Sequence, residues 1–158
     1  MGDGFLWHSE AMADDTLRRL TLRRTRPGQF LATNDRGGEL SFGTGSDATA
    51  FTPVELLLAA LAGCSAVDVD TFTTRRAEPQ SFEVEARADK VRTEDGNRLQ
   101  DIRLTFRVTF PAGADGDAAR EMLPKAVSVS HGRLCTVSRT VELGTPVAVA
   151  ISEDLSAP

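Results

Sequence analysis

The chain has 158 residues, of which 41% are hydrophobic and 26% are charged, and its formal net charge is -5. This length fits one domain with a sizeable core, and the composition is that of an ordinary soluble globular protein. The negative charge argues against non-specific nucleic-acid binding, because that needs a basic surface. No nucleic-acid partner is therefore expected.

The start of the chain is predicted to be a flexible leader, 1–15, in front of a single domain, 16–158. The leader lacks the basic and apolar regions of an export signal, and Met12 within it is an alternative start. The longest apolar run, Leu56 to Cys64, is far shorter than the ~20 residues of a membrane span. We therefore expect a cytoplasmic protein with no membrane partner, in which cysteines are free thiols or a redox pair.

Short apolar stretches separated by turn signals predict a three-stranded meander at the start of the domain. The two turns are Pro27-Gly28 and Asn34 to Gly38. A loop rich in Gly, Ser, Thr and Asp, Gly43 to Ala50, then leads from the third strand towards a helix.

The start of that helix carries three signals. Thr52 is a good N-cap, Pro53 suits the first helical position, and Glu55 completes a capping box. A helix beginning at Pro53 is therefore predicted.

The body of the helix is almost entirely apolar. From Leu56 to Ala66 only Ser65 is polar, and a helix that is apolar all round is expected to be buried on all faces. It should continue to about Arg76, because Pro79 cannot continue it.

Two segments of alternating polarity, Phe82 to Val91 and Ile102 to Phe110, predict an antiparallel hairpin. Glu94 to Asn97 supply its turn. Opposite charges should pair across the two strands. The charged residues concerned are Glu83, Glu85, Arg103 and Arg107.

A second helix is predicted from about Asp115 to Val129, with a kink or break at Pro124. The segment Leu134 to Val141 follows, and after a turn at Gly144 to Pro146 comes a closing strand, Val147 to Ile151. The order β-β-β-α-β-β-α-β describes an α+β domain.

The chain has two cysteines, Cys64 and Cys135. Taken alone, each is most simply a small buried hydrophobe. His131 lies four residues before Cys135, a spacing that fits either a ligand pair or an activator of the thiol. A closed metal site would need carboxylates as well, because the other histidine, His8, lies in the leader. No metal or other cofactor is expected.

The segments around both cysteines resemble those of the OsmC/Ohr family, the osmotically inducible and organic hydroperoxide resistance proteins. The first, Phe51 to Val69, reads FTPVELLLAALAGCSAVDV and places Cys64 eleven residues after Pro53, as in the family. The second, Leu134 to Val147, reads LCTVSRTVELGTPV. The resemblance runs from Thr16 to Ile151 and is nearest to a less-characterised branch of OsmC-like proteins.

The resemblance implies an OsmC-like fold, with antiparallel sheets around a buried central helix, in an intertwined homodimer with two sites at the subunit interface. It also implies thiol-dependent reduction of organic hydroperoxides. Cys64 would attack the peroxide, Cys135 would resolve the sulfenic acid as a disulfide, and a dithiol such as a lipoyl group would reduce that disulfide. This chemistry agrees with the general behaviour of thiols.

Activation of Cys64 needs a source of positive potential, and its own helix N-terminus is too distant to supply it. The resemblance implies an arginine from the turn between the first strands, which Arg26 matches best, with Arg24 as the alternative. Family peroxidases hold this arginine with a glutamate directly after the helix proline. Here Val54 occupies that position, and the acid is Glu55. One helical residue is a rotation of ~100°, so a capping role for Glu55 is favoured over an arginine clamp.

Asp68 lies four residues after Cys64, on nearly the same helix face. An unpaired carboxylate there would raise the pKa of the thiol, so Asp68 is either paired, for example with an arginine of the other subunit, or faces away. Because of these departures two alternatives stay open. One is an OsmC-like redox sensor or apolar-ligand-binding dimer without efficient peroxidase activity, and the other is a structural dimer with inert cysteines.

Overall fold

The computed structural model of the protein describes residues 16–44 and 49–151. The predicted leader and the middle of the loop before the first helix lie outside these residues. By its internal contacts the chain divides into two compact units, Met1–Leu56 and Leu57–Pro158, with the boundary inside that helix. The single domain expected from the sequence stays a prediction.

The first unit contains the predicted three-stranded meander. Its strands are β1 (Leu20–Arg26), β2 (Gln29–Asn34) and β3 (Glu39–Gly43), paired antiparallel in the order β1-β2-β3. The rings of Phe30 and Phe42 stack across β2 and β3 with their centroids 6.0 Å apart. The meander is therefore confirmed.

Both predicted turns have a local cause. Gly28 has a φ of +72°, a conformation that L side chains rarely adopt, and a Cβ there would overlap the carbonyl oxygen of Thr44. In the second turn the Asn34 side-chain oxygen accepts hydrogen bonds from the backbone N–H groups of Arg36 and Gly38, at 3.0 and 2.9 Å. Asparagine commonly forms such turns.

The first helix, α1, spans Pro53–Thr73 and ends slightly before the predicted limit of Arg76. Its buried residues form one stripe with a spacing of four: Leu61, Ser65, Val69 and Thr73. Val67, in contrast, is 68% exposed. The expectation of burial on all faces is therefore wrong for the single chain, because the described residues cover only one face of the helix.

Within the described residues, α1 is long and apolar enough to cross a bilayer by length and composition, with a mean hydropathy of 1.5 over the best window. The core helix of a soluble protein passes the same test. Asp68 lies within the helix and accepts a hydrogen bond from Ser130 of a later segment. Length and hydropathy alone are therefore weak evidence for a membrane span.

The second unit contains the predicted hairpin, formed by β4 (Ser81–Thr93) and β5 (Gly96–Thr109). Arg107 on β5 donates hydrogen bonds to Glu83 at 2.9 Å and Glu85 at 2.7 Å on β4. The hairpin is confirmed, and so is the pairing of opposite charges at Arg107. Arg103 lies opposite Arg87 instead, so its predicted pairing with an acid is wrong.

The end of the chain is more helical than the sequence indicated. The second helix, α2 (Ala114–Val129), runs through Pro124. Of the predicted kink or break, the break is wrong and the kink stays a prediction. A π-helical turn, Ser130–Leu134, follows directly, and α3 (Thr136–Glu142) occupies the segment that had no predicted helix. The backbone N–H of Cys135 closes the π turn by donating to the carbonyl oxygen of Ser130 at 2.9 Å.

The predicted closing strand is not formed by the single chain. The residues from Val147 to Ile151 have no regular secondary structure. Their larger apolar side chains are 86% to 95% exposed, at Val147, Val149 and Ile151. A strand needs a neighbouring edge to hydrogen-bond to, and the described part of this chain does not pair with the segment. The fold is nevertheless α+β with antiparallel sheets, as predicted.

Candidate functional site

The two cysteines lie on different elements of the second unit. Cys64 is about three turns into α1 and is partly exposed. Cys135 is 0% exposed and is the N-cap of α3. The backbone N–H of Ser138 donates to the Cys135 sulfur at 3.4 Å, and the Ser138 hydroxyl lies 3.1 Å from the same sulfur.

Cys64 and Cys135 are both free thiols, and they lie close enough for each to affect the pKa of the other. Burial raises the pKa of Cys64, the neighbouring Cys135 raises it further, and the backbone amides of Val137 and Thr136 only partly offset the increase. Burial acts in the same direction on Cys135, but hydrogen bonds from Ser138 and Cys64 outweigh it and lower the pKa of Cys135. Cys135 is therefore the more acidic thiol.

The amides that act on Cys64 come from the first turn of α3, not from its own helix. The backbone N–H groups of Thr136 and Val137 both favour the thiolate of Cys64. Unpaired N–H groups at a helix start carry partial positive charge. The sequence correctly excluded the N-terminus of α1 as the source of positive potential for Cys64. It held no signal, however, for α3, the helix that begins directly after Cys135.

A buried hydrogen-bond network joins the segments that carry the two cysteines. Ser130 donates to the Asp68 carboxylate at 2.8 Å, and its oxygen lies 3.0 Å from the Ser65 hydroxyl. Because the Ser130 proton points to Asp68, Ser65 is the donor in the second bond. Asp68 is thus paired within its own chain, and the predicted arginine partner is not required.

Ser65 and Ser130 were missed as site residues, although one signal was present. Ser65 is the single polar residue in the apolar run of α1, and it is 2% exposed. A buried hydroxyl must find a partner, so its isolation in that run indicated a specific contact. The identity of that partner, 65 residues later in the chain, could come only from the tertiary structure.

Replacement of Ser130 by alanine should lower the free energy of unfolding by about 2 kcal/mol, because Asp68 and Ser65 both lose a buried hydrogen-bond partner. Denaturant unfolding measures this directly. Ser128→Ala, at an exposed position near the end of α2, is the control and should unfold like the wild type. Equal stability of the two variants would contradict the structural role of the network.

His131 forms a pair with a carboxylate, and the role of thiol activator that its spacing from Cys135 suggested stays a prediction. Its Nε2 atom lies 3.5 Å from the Glu142 carboxylate, at an exposed position. In the ranges 16–44 and 49–151, moreover, no group of three or more His, Cys, Asp or Glu side chains could hold a metal ion. His131 is therefore best described as one partner of a surface pair.

A cavity of about 260 Å³ lies in the second unit. Six apolar side chains from α1, β5, α2 and α3 form most of its wall, and Ser65, Ser138, His131 and Glu142 supply the polar part. Ser138 links the cavity to Cys135 through their hydrogen bond. The cavity could hold a small, mostly apolar molecule.

Glu55 forms the predicted capping box in the first unit. Its carboxylate accepts from the backbone N–H of Thr52 at 2.7 Å, and its own N–H donates to the Thr52 hydroxyl at 3.3 Å. The hydrogen bond from the Thr52 backbone, followed by that from the Thr52 side chain, lowers the pKa of Glu55. The cap therefore contributes at neutral pH and weakens on acidification, because a lowered carboxyl pKa gives stability that protonation removes.

Replacement of Glu55 by glutamine should leave any peroxidase turnover nearly unchanged and lower the stability only slightly, because a glutamine can complete the same capping box without the carboxylate charge. Thermal unfolding and a peroxide assay test this, with Glu55→Ala as the control that loses the cap. A large loss of turnover at unchanged melting temperature would instead favour an arginine clamp.

The two candidate arginines lie on β1. Arg26 is the last residue of the strand and pairs with Gln29 across an irregularity in the register, while Arg24 pairs with Phe30. Both belong to the first unit, whereas the cysteines belong to the second. The structure therefore brings Cys64 and Cys135 together, and the role of an arginine stays a prediction.

The family profile described as OsmC-like protein matches residues 43–150, more than half of the chain. The match includes both cysteines, the capping box and the β4–β5 hairpin. The protein belongs to the OsmC-like family.

The chain is also similar to an uncharacterised protein in sequence and to two solved structures in fold. An uncharacterised protein of Mycobacterium tuberculosis is 26% identical over 135 residues, covering 85% of this chain and 96% of that protein. The OsmC-like protein of Mycoplasma pneumoniae has a TM-score of 0.63 at 16% identity and covers 81% of this chain and 89% of its own. An organic hydroperoxide resistance protein OsmC from Legionella pneumophila has a TM-score of 0.53 at 16% identity, covering 79% and 88%. At these identities the two structures show the shared fold alone.

Proposed function

We propose that this protein is a thiol-dependent reductase of organic hydroperoxides, with Cys64 as the peroxide-reacting thiol and Cys135 as the resolving thiol. The observation that carries the proposal is the proximity of two free thiols from distant parts of the chain, which lie close enough for each to shift the pKa of the other. Cys64 is partly exposed while Cys135 is buried, so Cys64 is the thiol that a peroxide can reach. Membership of the OsmC-like family and the description of the Legionella protein point to the same chemistry.

In the proposed reaction the Cys64 thiolate attacks the distal oxygen of the hydroperoxide. The O–O bond breaks, the leaving alkoxide takes up a proton to become the alcohol, and Cys64 becomes a sulfenic acid. The Cys135 thiolate then attacks the Cys64 sulfur, hydroxide leaves and is protonated to water, and a disulfide forms. A dithiol such as a lipoyl group reduces this disulfide by thiol–disulfide exchange and is itself oxidised to a disulfide.

The proposal includes a homodimer in the cytoplasm, in which Arg26 supplies positive potential to Cys64. Two observations support a partner subunit. The apolar helix α1 is covered on one face only, and Val147, Val149 and Ile151 alternate along the chain as in a strand with one buried face. Burial of such surfaces by a second copy would remove apolar area from water.

Thiol titration before and after one equivalent of cumene hydroperoxide tests the proposed function. Rapid loss of two thiols per chain is expected, followed by their recovery on addition of dihydrolipoamide. Loss at the rate of free cysteine would show that the protein is not an efficient peroxidase.

The cavity supports a second candidate, an apolar-ligand-binding protein or redox sensor of the same family. The cavity is lined mainly by apolar side chains. One of its polar lining residues, Ser138, is hydrogen-bonded to Cys135. A sulfenic acid on Cys64 that persists without forming a disulfide would favour the sensor. Saturable binding of a small aliphatic ligand without peroxide consumption would favour the binding protein.

A further inference from the structure

The cavity in the second unit has one polar residue whose hydrogen-bonding state is fixed by its neighbours. Ser65 lines the cavity and is 2% exposed. It gives its hydroxyl proton to Ser130, because Ser130 gives its own proton to the Asp68 carboxylate. A hydroxyl has one proton and two lone pairs. The Ser65 oxygen can therefore accept a further hydrogen bond, but it cannot donate one.

The other buried hydroxyl of the wall, that of Ser138, already serves Cys135. It lies 3.1 Å from the Cys135 sulfur, and the backbone N–H of Ser138 donates to the same sulfur at 3.4 Å. Neither cysteine is among the described residues that line the cavity. Ser65 is therefore the buried wall residue whose oxygen is available to a bound molecule.

The charges around the cavity favour a neutral ligand. The ionisable residues of the wall are His131 and Glu142, and the His131 Nε2 atom lies 3.5 Å from the Glu142 carboxylate. The guanidinium of Arg139 binds the same carboxylate at 3.4 Å. A ligand carboxylate would lie near Glu142, and the cations beside it are already paired. Burial of a charge among apolar side chains without a partner is costly.

The size of the cavity limits the apolar part of the ligand. Its volume is about 260 Å³, and most of its wall is apolar. A cavity of about 150 Å³ lined by apolar side chains is large enough to bind benzene. This cavity therefore has room for one benzene ring that carries a short branched alkyl group.

We propose that the cavity is a binding site for a small neutral molecule with an apolar body and one hydroxyl group, and that Ser65 selects this ligand by accepting a hydrogen bond from its hydroxyl. The ligand would then extend the chain of hydrogen bonds that runs through Ser65 and Ser130 to Asp68. The inference goes beyond the thiol chemistry. It rests on the second candidate function, the ligand-binding protein, and names its ligand class and the residue that recognises the ligand.

Three ligands of similar shape test the inference. They are cumyl alcohol, tert-butylbenzene, in which a methyl group replaces the hydroxyl, and the carboxylate analogue of cumyl alcohol. Their affinities for the reduced full-length chain are measured by NMR titration of methyl-labelled protein. Both neutral ligands should bind saturably, and the carboxylate should not.

The role of Ser65 is tested by comparing variants with one ligand, because a hydrocarbon leaves water more readily than an alcohol does. In Ser65→Ala the affinity for cumyl alcohol should fall about tenfold, as expected for the loss of one hydrogen bond. The affinity for tert-butylbenzene should stay equal or rise. Asp68 keeps its bond from Ser130 in this variant, so the protein should fold, and thermal unfolding checks this.

Ser138→Ala is the matched control, because it removes the other buried hydroxyl of the wall. It should keep the wild-type affinity for cumyl alcohol. Intermolecular NOEs from the ligand ring to methyl groups of Leu61, Leu104 and Val127 should place both neutral ligands in the cavity.

The inference is overturned if Ser65→Ala binds cumyl alcohol as tightly as the wild type does, if the loss occurs in Ser138→Ala instead, or if the carboxylate binds more tightly than the alcohol. Saturable binding of tert-butylbenzene in those cases would leave the ligand-binding candidate standing. Absence of binding by both neutral ligands would overturn that candidate as well. None of the three ligands is a peroxide, so the peroxidase proposal is decided separately by its thiol titration.

Discussion

Replacement of Cys64 by serine should abolish the peroxide-dependent loss of thiols. Cys135 would be the one remaining thiol, and it is 0% exposed, so a peroxide cannot reach its sulfur in the folded protein. A serine hydroxyl stays protonated at neutral pH and does not reduce the O–O bond. The expected loss of turnover is at least about a thousandfold, comparable with removal of the nucleophile in other enzymes.

Thiol titration with cumene hydroperoxide measures this effect, and Cys135→Ser is the matched control. The control keeps the reactive thiol and should lose one thiol per chain, without forming an intramolecular disulfide. A Cys64→Ser protein that still consumes peroxide rapidly would show that Cys135 reacts first, and the proposed order of the cysteines would then be wrong.

Replacement of Gly116 by alanine should be the most destabilising single change in the second unit outside the thiol pair. Gly116 is buried in the first turn of α2, and a Cβ there would overlap the backbone carbonyl oxygen of Pro111. A backbone atom cannot rotate away as a side chain can, so the start of α2 must shift. The expected loss is about 3 kcal/mol or more of unfolding free energy, the upper range for overpacking.

Denaturant unfolding of Gly116→Ala measures that loss, with Gly132→Ala as the control. Gly132 lies in the π turn, and a Cβ at this exposed position would meet no atom within 4 Å. The control should therefore stay close to the wild type. If the two variants are equally stable, the tight packing of α2 against Pro111 is not present in solution.

Local signals predicted most of the elements before the second helix. Thr52, Pro53 and Glu55 marked the start of α1, and the hydrogen bonds of the capping box are present. The alternation along β4 and β5 predicted their pairing, and it also predicted the ion pairs of Arg107 with Glu83 and Glu85. These features depend on neighbours a few residues away or directly opposite, so the sequence carries them.

Local sequence signals did not predict the structure where contacting residues lie far apart in the chain, or where the described residues supply no partner. The segment Thr136–Glu142 became a helix, and its β-branched residues gave no periodic pattern that predicted one. Val147 to Ile151 has the alternation of a strand, but the described residues do not supply a neighbouring strand edge. The burial of α1 was overestimated for a related reason. An apolar composition indicates that a helix is buried, but it does not identify the residues that bury it.

The sequence by itself determined the OsmC-like resemblance, the two cysteines and the helix that carries Cys64. Only the tertiary structure decided that Ser65, Ser130 and Asp68 form one buried network, and that Ser138 serves Cys135. The reason is physical: the acidity of a thiol depends on burial and on the hydrogen-bonding groups around it. The members of the network come from elements more than 60 residues apart, and only folding brings them together. Ser138 is three residues from Cys135, but their contact depends on α3, a helix that the local sequence did not predict.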